Sequence, residues 1–259
     1  MSNKFWKSFS IVLHVLFDEI EIQQKVFTDA YTNSDDVELV NMLIENTEID
    51  ISATNNYAIR IASQNGHVAV VNRLLQDRRV DPSALNNYAI RYASENGHIA
   101  VVDRLLQEPK NRVDPSANNN HAIRLASEKG HVAVVDRLLQ NSRVDPSAVN
   151  NYAIRYASHC GHIAVVDRLL QEDRSRVDPT AGFNAPIRYA SYNGHIAVVD
   201  RLLQEDRSFV DPSAVDNYAI CWASHNGHIA VVKRLLQEDI VNRMLQEDIV
   251  KHDIYAIPW

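Results

Sequence analysis

Histidine follows glycine at six places, Gly66-His67, Gly97-His98, Gly130-His131, Gly161-His162, Gly194-His195 and Gly227-His228. Imidazole is a metal ligand and the commonest general base near neutral pH, so a histidine planted this regularly raises metal binding and acid–base catalysis first. One copy, His159-Cys160-Gly161-His162, adds a thiol, and nitrogen with sulfur is the donor set of zinc.

Distance argues against a shared metal. The pairs are spaced 31, 33, 31, 33 and 33 residues apart. Units stacked at helix-packing distance, roughly 8–10 Å, hold equivalent imidazoles too far apart for one zinc, whose nitrogen ligands lie about 2 Å from the metal. The local His-Cys-Gly-His cluster lacks a fourth donor. Repetition argues against catalysis, because an active site is one constellation of unlike groups and this chain presents the same groups again and again. Only 7 glycines occur in the chain, and no loop among them has the pattern that cradles phosphate. The expectation is therefore a chain without metal, cofactor or catalytic residue.

The histidines are positioned by a repeat. Between Asn55 and Gln237 one wording recurs six times: Asn-Tyr-Ala-Ile-Arg-x-Ala-Ser-x-x-Gly-His-Ile-Ala-Val-Val-Asp-Arg-Leu-Leu-Gln, a charged tail, then Val-Asp-Pro-Ser-Ala. Only the tail varies in length, three residues between Gln76 and Val80 or Gln140 and Val144, five after Gln107, Gln171 and Gln204, which marks an exposed connection. An earlier, degenerate copy reads Val37 to Glu45 and Ile49 to Ala53, with Asp35-Asp36 where Gly-His would stand. Terminal repeats deviate because one face meets water. The expected organisation is a capping helix over 1–22, a degenerate first repeat over 23–54, six repeats over 55–239 and a cap or tail over 240–259.

Each unit reads as two short helices. Asn87 is placed to cap the helix Tyr88 to Glu95. Gly97 then ends it in the left-handed C′ position. The second helix runs from about Ile99 to Gln107, with Ile99, Val101, Val102, Leu105 and Leu106 on one side. Arg104 and Glu108 form an i, i+4 pair. Val113-Asp-Pro-Ser-Ala117 breaks helicity. Such helices are too short to stand alone in water, so stacking must stabilise them, with Ala89 and Ala93 letting neighbours approach.

Composition limits the partners. The 259 residues are 46% hydrophobic and 23% charged, ordinary for a packed protein. A formal net charge of −7 opposes binding to nucleic acid or an anionic membrane. Two cysteines at non-equivalent places, Cys160 and Cys221, make no disulfide framework and suit a reducing, cytoplasmic setting. The apolar run Ile11 to Phe17 is too short to span a bilayer and is read as part of the capping helix. Near the other end, Arg234 to Asn242 is echoed by Arg243 to Lys251. The nine-residue offset turns the second copy about 180° on a helix, so a break near Asp239 to Asn242 is expected, with the second copy folding back as a cap.

Gly97-His98-Ile-Ala-Val-Val102 with Leu105-Leu106, and Val80-Asp81-Pro-Ser-Ala84, resemble the ankyrin repeat, a helix-turn-helix unit of about 33 residues. The resemblance covers roughly residues 23 to 239. It implies an all-α fold, an ankyrin-type helix-turn-helix solenoid of about seven stacked repeats with helical caps. It also implies that His67, His98, His131, His162, His195 and His228 are structural, bonding across the turn into the second helix. The family's Thr-Pro-Leu-His box reads Tyr88-Ala-Ile-Arg91 here, or Ala185-Pro-Ile-Arg188, and only three residues separate Ala84 from Tyr88. The hairpin fingers should therefore be short. Arrays of protists and large DNA viruses look similar.

Function is sought where the copies differ. The position after the box arginine reads Ile61, Tyr92, Leu125, Tyr156, Tyr189, Trp222; three residues on it reads Gln64, Glu95, Glu128, His159, Tyr192, His225. Residues at i and i+3 share a helix face, so stacking makes two parallel ladders. Aromatic residues among polar neighbours are the usual anchors of protein interfaces. The candidate partner-binding residues are Tyr92, Glu95, Leu125, Glu128, Tyr156, His159, Tyr189, Tyr192, Trp222 and His225. The family's contact positions before Gly-His add Asn96, Lys129, Cys160, Asn193 and Asn226. The competing reading packs the aromatic rings against the next repeat with only their polar tips wet. Arg60, Arg91, Arg124, Arg155 and Arg188 are expected to bond neighbouring loops, such as the Asp of Val-Asp-Pro.

The expected function is a monomeric, non-enzymatic scaffold that binds another protein on a concave first-helix face, with no nucleic acid, membrane or cofactor. One alternative is an adaptor that delivers a captured protein to modification machinery through Met1 to Glu21. Another is a viral or microbial regulator working in a host cell.

Overall fold

The computed structural model describes residues 28–29, 32, 35–46, 49–109, 111–205 and 210–237. The expected capping helix over 1–22, the docking segment Met1 to Glu21, the break near Asp239 to Asn242 and the tail over 240–259 lie outside the described residues. Twelve helices follow one another: α1 Val37–Asn46, α2 Ala53–Asn65, α3 Val68–Leu75, α4 Ala84–Glu95, α5 Ile99–Leu106, α6 Ala117–Glu128, α7 Val132–Leu139, α8 Ala148–Cys160, α9 Ile163–Leu170, α10 Ala181–Tyr192, α11 Ile196–Leu203 and α12 Ala214–His225. Residues 229–237 are helical as well, and no strand occurs among the described residues. From α2 onward, even-numbered helices open a repeat and odd-numbered helices complete it.

The chain divides into two compact units, the described residues up to Ala126 with Ala133–Asp145, and Ser127–Val132 with the described residues from Pro146. In the first, α2 packs on α4, and the second helices α1, α3 and α5 pack in series. In the second, α8 packs on α10 and α10 on α12, while α9 packs on α11. The reason is compositional. Ala89 and Ala93 on α4, like Ala153 and Ala157 on α8, are fully buried and keep the axes close, and Val101, Val102 and Leu105 of α5 close over them. Across the second helices, Arg137 Nε donates to Asp103 at 2.5 Å in the first unit, and Arg201 to Asp167 at 2.6 Å and Arg234 to Asp200 at 2.7 Å in the second.

The expected cap and fingers are both replaced by one feature. Before the regular part of each first helix lie three residues in the left-handed region: Leu85, Asn86 and Asn87 with φ of 52°, 57° and 60° in α4, and Val149, Asn150 and Asn151 in α8. No hairpin finger projects there. Asn87 does not cap its own helix; its Oδ1 accepts the backbone N–H of Asp114 in the next repeat at 2.7 Å. Asn56 does the same for Asp81 at 2.7 Å, and Asn151 for Asp178 at 2.8 Å. The Asp carboxylate then accepts from the backbone and hydroxyl of the Ser or Thr two residues on, as Asp114 does from Ser116 at 3.0 and 2.7 Å. Asparagine tolerates the left-handed region better than most residues, which accounts for the paired asparagines.

The box arginines hold this turn rather than an aspartate. Arg91 Nε donates to the carbonyl of Asn86 at 2.9 Å and Nη2 to that of Leu85 at 3.0 Å. Arg60, Arg124 and Arg188 make the same pair of bonds to their own turns. The charged fork matches two carbonyls that the left-handed backbone leaves side by side.

Candidate protein-binding face

The left-handed turn fixes where each first helix starts, and thereby which side chains share its open face. Tyr88 and Tyr92 are four residues apart on α4 and their rings stack at 4.0 Å between centroids. Tyr152 and Tyr156 repeat this on α8 at 3.9 Å. The box tyrosine also reaches the preceding repeat: Tyr88 Oη donates to Gln64 Oε1 at 2.6 Å, and Tyr152 Oη to Glu128 Oε2 at 2.5 Å. Burial pushes the Tyr88 hydroxyl above its ordinary range, so it stays a donor.

In the first unit the predicted residues Tyr92, Glu95 and Leu125 are all half-buried. In the second, Glu128, Tyr156 and Tyr189 are half-buried, whereas His159, Tyr192, Trp222 and His225 are exposed. The rings of this unit touch one another from helix to helix. His159 lies 6.0 Å from Tyr156 on its own helix and 5.7 Å, edge-on, from Tyr189 on the next. Tyr192 of α10 meets Trp222 of α12 at 5.6 Å, and Trp222 meets Tyr218 at 5.7 Å and His225 at 5.2 Å. Arg188 stands over Tyr218 at 5.0 Å, a cation–π contact on top of its hold on the turn. Each of these rings packs on a neighbour and keeps part of its surface open. Tyr192 and Trp222 retain 38% and 37% of their surface.

Two parts of this face escaped the sequence reading. The box tyrosines Tyr88, Tyr152 and Tyr218 were signalled by their i, i+4 spacing to the ladder. The left-handed turns carry exposed apolar side chains, Leu85, Val149, Phe183 and Val215, and Phe183 keeps 80% of its surface. Nothing in a window of Leu-Asn-Asn or Val-Asn-Asn announces that geometry.

The histidines of the Gly-His pairs join repeats, where bonding across the turn was expected. His162 Nε2 meets the carbonyl of Glu128 at 2.9 Å, His195 that of His159 at 2.9 Å, and His228 that of Tyr192 at 3.0 Å, each one repeat back. The imidazole lies over the preceding glycine: a Cβ on Gly66 would come within 2.5 Å of His98 Nδ1, and one on Gly194 within 2.5 Å of His228 Nδ1. The pair is thus one interlocking device, glycine in one repeat and histidine in the next. The His159-Cys160-Gly161-His162 cluster is pulled apart accordingly, His159 facing Tyr189 and Asn193 while His162 bonds backward. Among the described residues no three of His, Cys, Asp and Glu converge as a metal ion requires. No described helix is long and apolar enough to cross a membrane.

Helix pairs of this length, locked by Gly and His and opened by Asp-Pro-Ser-Ala, match a known family. The family model for ankyrin repeats (3 copies) covers residues 28–119 and 90–181. The chain belongs to the ankyrin repeat family. Ankyrin repeats are in general protein–protein interaction modules, and their family is typically non-enzymatic. No curated protein matches the chain significantly.

Proposed function

We propose that this chain is a non-enzymatic scaffold that binds a partner protein on the face formed by its first helices, with the aromatic side chains of α8, α10 and α12 as anchors. The carrying observation is Tyr192 against Trp222: two large rings packed on each other at 5.6 Å, each with more than a third of its surface open. Rings already held by neighbours lose little conformational freedom when a partner arrives, which is what makes an anchor effective. Tyr156, His159 and Tyr189 form the second anchor and Glu128 a flanking contact, while Tyr92, Glu95 and Leu125 are the corresponding contact positions of the first unit. The chain acts as a monomer without cofactor, nucleic acid or membrane, and the exposed free thiols of Cys160 and Cys221 suit the reducing cytoplasm.

The test is capture from the native cell. The triple variant Tyr156→Ala, His159→Ala, Tyr189→Ala and the double variant Tyr192→Ala, Trp222→Ala should keep the helical circular-dichroism spectrum and lose the partner, each removing at least about 2 kcal/mol of binding. Folded variants that keep every partner would remove the face from consideration. A hydrolase or transferase activity that survives purification and maps to one repeat would end the scaffold reading.

A further inference from the structure

Four of the six Gly-His pairs are preceded by asparagine, at Asn65, Asn96, Asn193 and Asn226. Asn-Gly is chemically unstable in water because glycine has no Cβ to shield its backbone nitrogen. That nitrogen, giving up its proton, attacks Cγ of the asparagine. A C–N bond forms, Nδ2 departs as ammonia, and a five-membered succinimide remains. Water then opens the ring at either carbonyl, leaving aspartate or isoaspartate, so the sum is one water consumed and one ammonia released.

The fold opposes ring closure in the same way at every copy. The glycine N–H is engaged, Gly66 with Ser63 at 3.3 Å, Gly97 with Ser94 at 3.3 Å, Gly194 with Ser191 at 3.2 Å and Gly227 with Ser224 at 3.1 Å. The asparagine Nδ2 donates to a backbone carbonyl, Asn65 to Thr32 at 2.8 Å, Asn96 to Gln64 at 2.8 Å, Asn193 to Tyr189 at 2.9 Å and Asn226 to Tyr192 at 2.8 Å. These bonds do not distinguish the four sites. What lies over them does. The His98 imidazole covers Gly66 and the His228 imidazole covers Gly194, so neither glycine can swing without displacing a ring. Among the described residues, nothing lies within 4 Å of where a Cβ on Gly227 would be. Ser63, Ser94 and Ser191, the acceptors at the other three copies, are 0% exposed and their glycines half-buried, whereas Ser224 and Gly227 are exposed.

We propose that Asn226-Gly227 is a spontaneous deamidation site, the one Asn-Gly among the described residues whose glycine and serine acceptor are both exposed, with water as its only co-reactant. The product changes the fold locally. The Asn226 amide and His228 both bond the Tyr192 carbonyl, at 2.8 and 3.0 Å. A carboxylate in place of the amide sets two acceptors against each other, removes one of the two hydrogen bonds to the Tyr192 carbonyl, and adds a negative charge four residues from Trp222. The last described repeat would loosen with age.

The full chain held at mildly alkaline pH and 37 °C, then digested and analysed by mass spectrometry in ordinary and oxygen-18 water, reads each site separately. Asn226 should gain the one-dalton shift and isoaspartate about tenfold faster than Asn65, Asn96 and Asn193, the factor given by a local opening easier by about 1.4 kcal/mol. In denaturant all four share the sequence Asn-Gly-His and should convert alike. Equal rates in the folded chain, or conversion led by another site, would overturn the proposal. As a second readout, Asn226→Asp should speed hydrogen exchange across α12 while leaving α8 unchanged; unaltered exchange in α12 would refute the loosening.

Discussion

At the scale of single residues, the arginine of the Tyr-Ala-Ile-Arg box has the best-defined task. Three consecutive left-handed residues cost about 1–2 kcal/mol each for ordinary side chains. Two charge-assisted bonds from one guanidinium offset most of that sum. Arg91→Ala should therefore lower stability by about 2–4 kcal/mol in urea unfolding, and Arg91→Lys should recover only part, since an ammonium cannot fork onto both carbonyls. The last copy offers the reverse experiment. Cys221 stands where the arginine belongs, and its turn, Val215, Asp216 and Asn217, is left-handed all the same. Cys221→Arg should raise the melting temperature, by a stabilisation of about 1–2 kcal/mol; no gain would mean that the fork is incidental to the turn. The connection after α3 gives a pH-dependent prediction. Hydrogen bonds from the Arg79 side chain and backbone hold the Asp77 carboxyl down to about 2. A folded-state value below the unfolded one means that the stabilisation is complete above about pH 4 and is lost as pH falls through 2. Carboxyl carbon NMR should place that midpoint near 2 and Asp77→Asn should remove it; an ordinary midpoint would show the pair broken in solution.

At the scale of elements, the Gly-His lock explains why short helices stack in register. A glycine in one repeat makes room for the histidine of the next, whose Nε2 finds a carbonyl one repeat back. Gly194→Ala should cost about 1–2 kcal/mol for its φ of 77° and more again for displacing His228, whereas Gly227→Ala should cost the conformational part alone. Equal losses in thermal unfolding would mean that the imidazole contact contributes nothing. This lock also marks where the sequence was readable. The helix pairs followed from apolar spacing such as Val101, Val102 and Leu105, and the glycine stop from its usual left-handed role. The direction of the histidine bond was hidden, because a bond to the same turn and a bond across repeats need the same residue type. The left-handed turn was hidden more deeply: Asn87 before a helical run reads equally well as a cap, and the choice is made by Asp114 of the next repeat, 27 residues away. For the candidate face, ladder membership was legible from i, i+3 spacing, while exposure was not, since a tyrosine's open side depends on its neighbour's ring.

For the molecule as a whole, stability in a repeat protein is approximately the sum of what each repeat contributes and what each interface between neighbours adds. Nearly identical repeats then differ mainly in how well their two faces are covered. In the second unit, α10 is bracketed by α8 and α12, and Ser158 and Ser191 on α8 and α10 are fully buried. On α12 the matching Ser224 is exposed, Gly227 is open, Cys221 replaces the arginine, and Ile229 just beyond keeps 66% of its surface. Among the described residues, interface, lock and turn fork are thus all weaker in this one repeat. Opening should begin there and reach α10 and α8 only at higher free energy. Native-state hydrogen exchange should show amides of α12 and residues 229–237 exchanging through a low-energy opening, with α8 and α9 protected to near the global unfolding free energy. The proposed anchor Trp222 sits on the element expected to open first and Tyr156 on one expected to open late, so a bound partner that grips both should raise protection in α12 far more than in α8. Uniform protection across α8 to α12, with or without partner, would mean that the unit unfolds as one block and that the differences among its repeats carry no energetic weight.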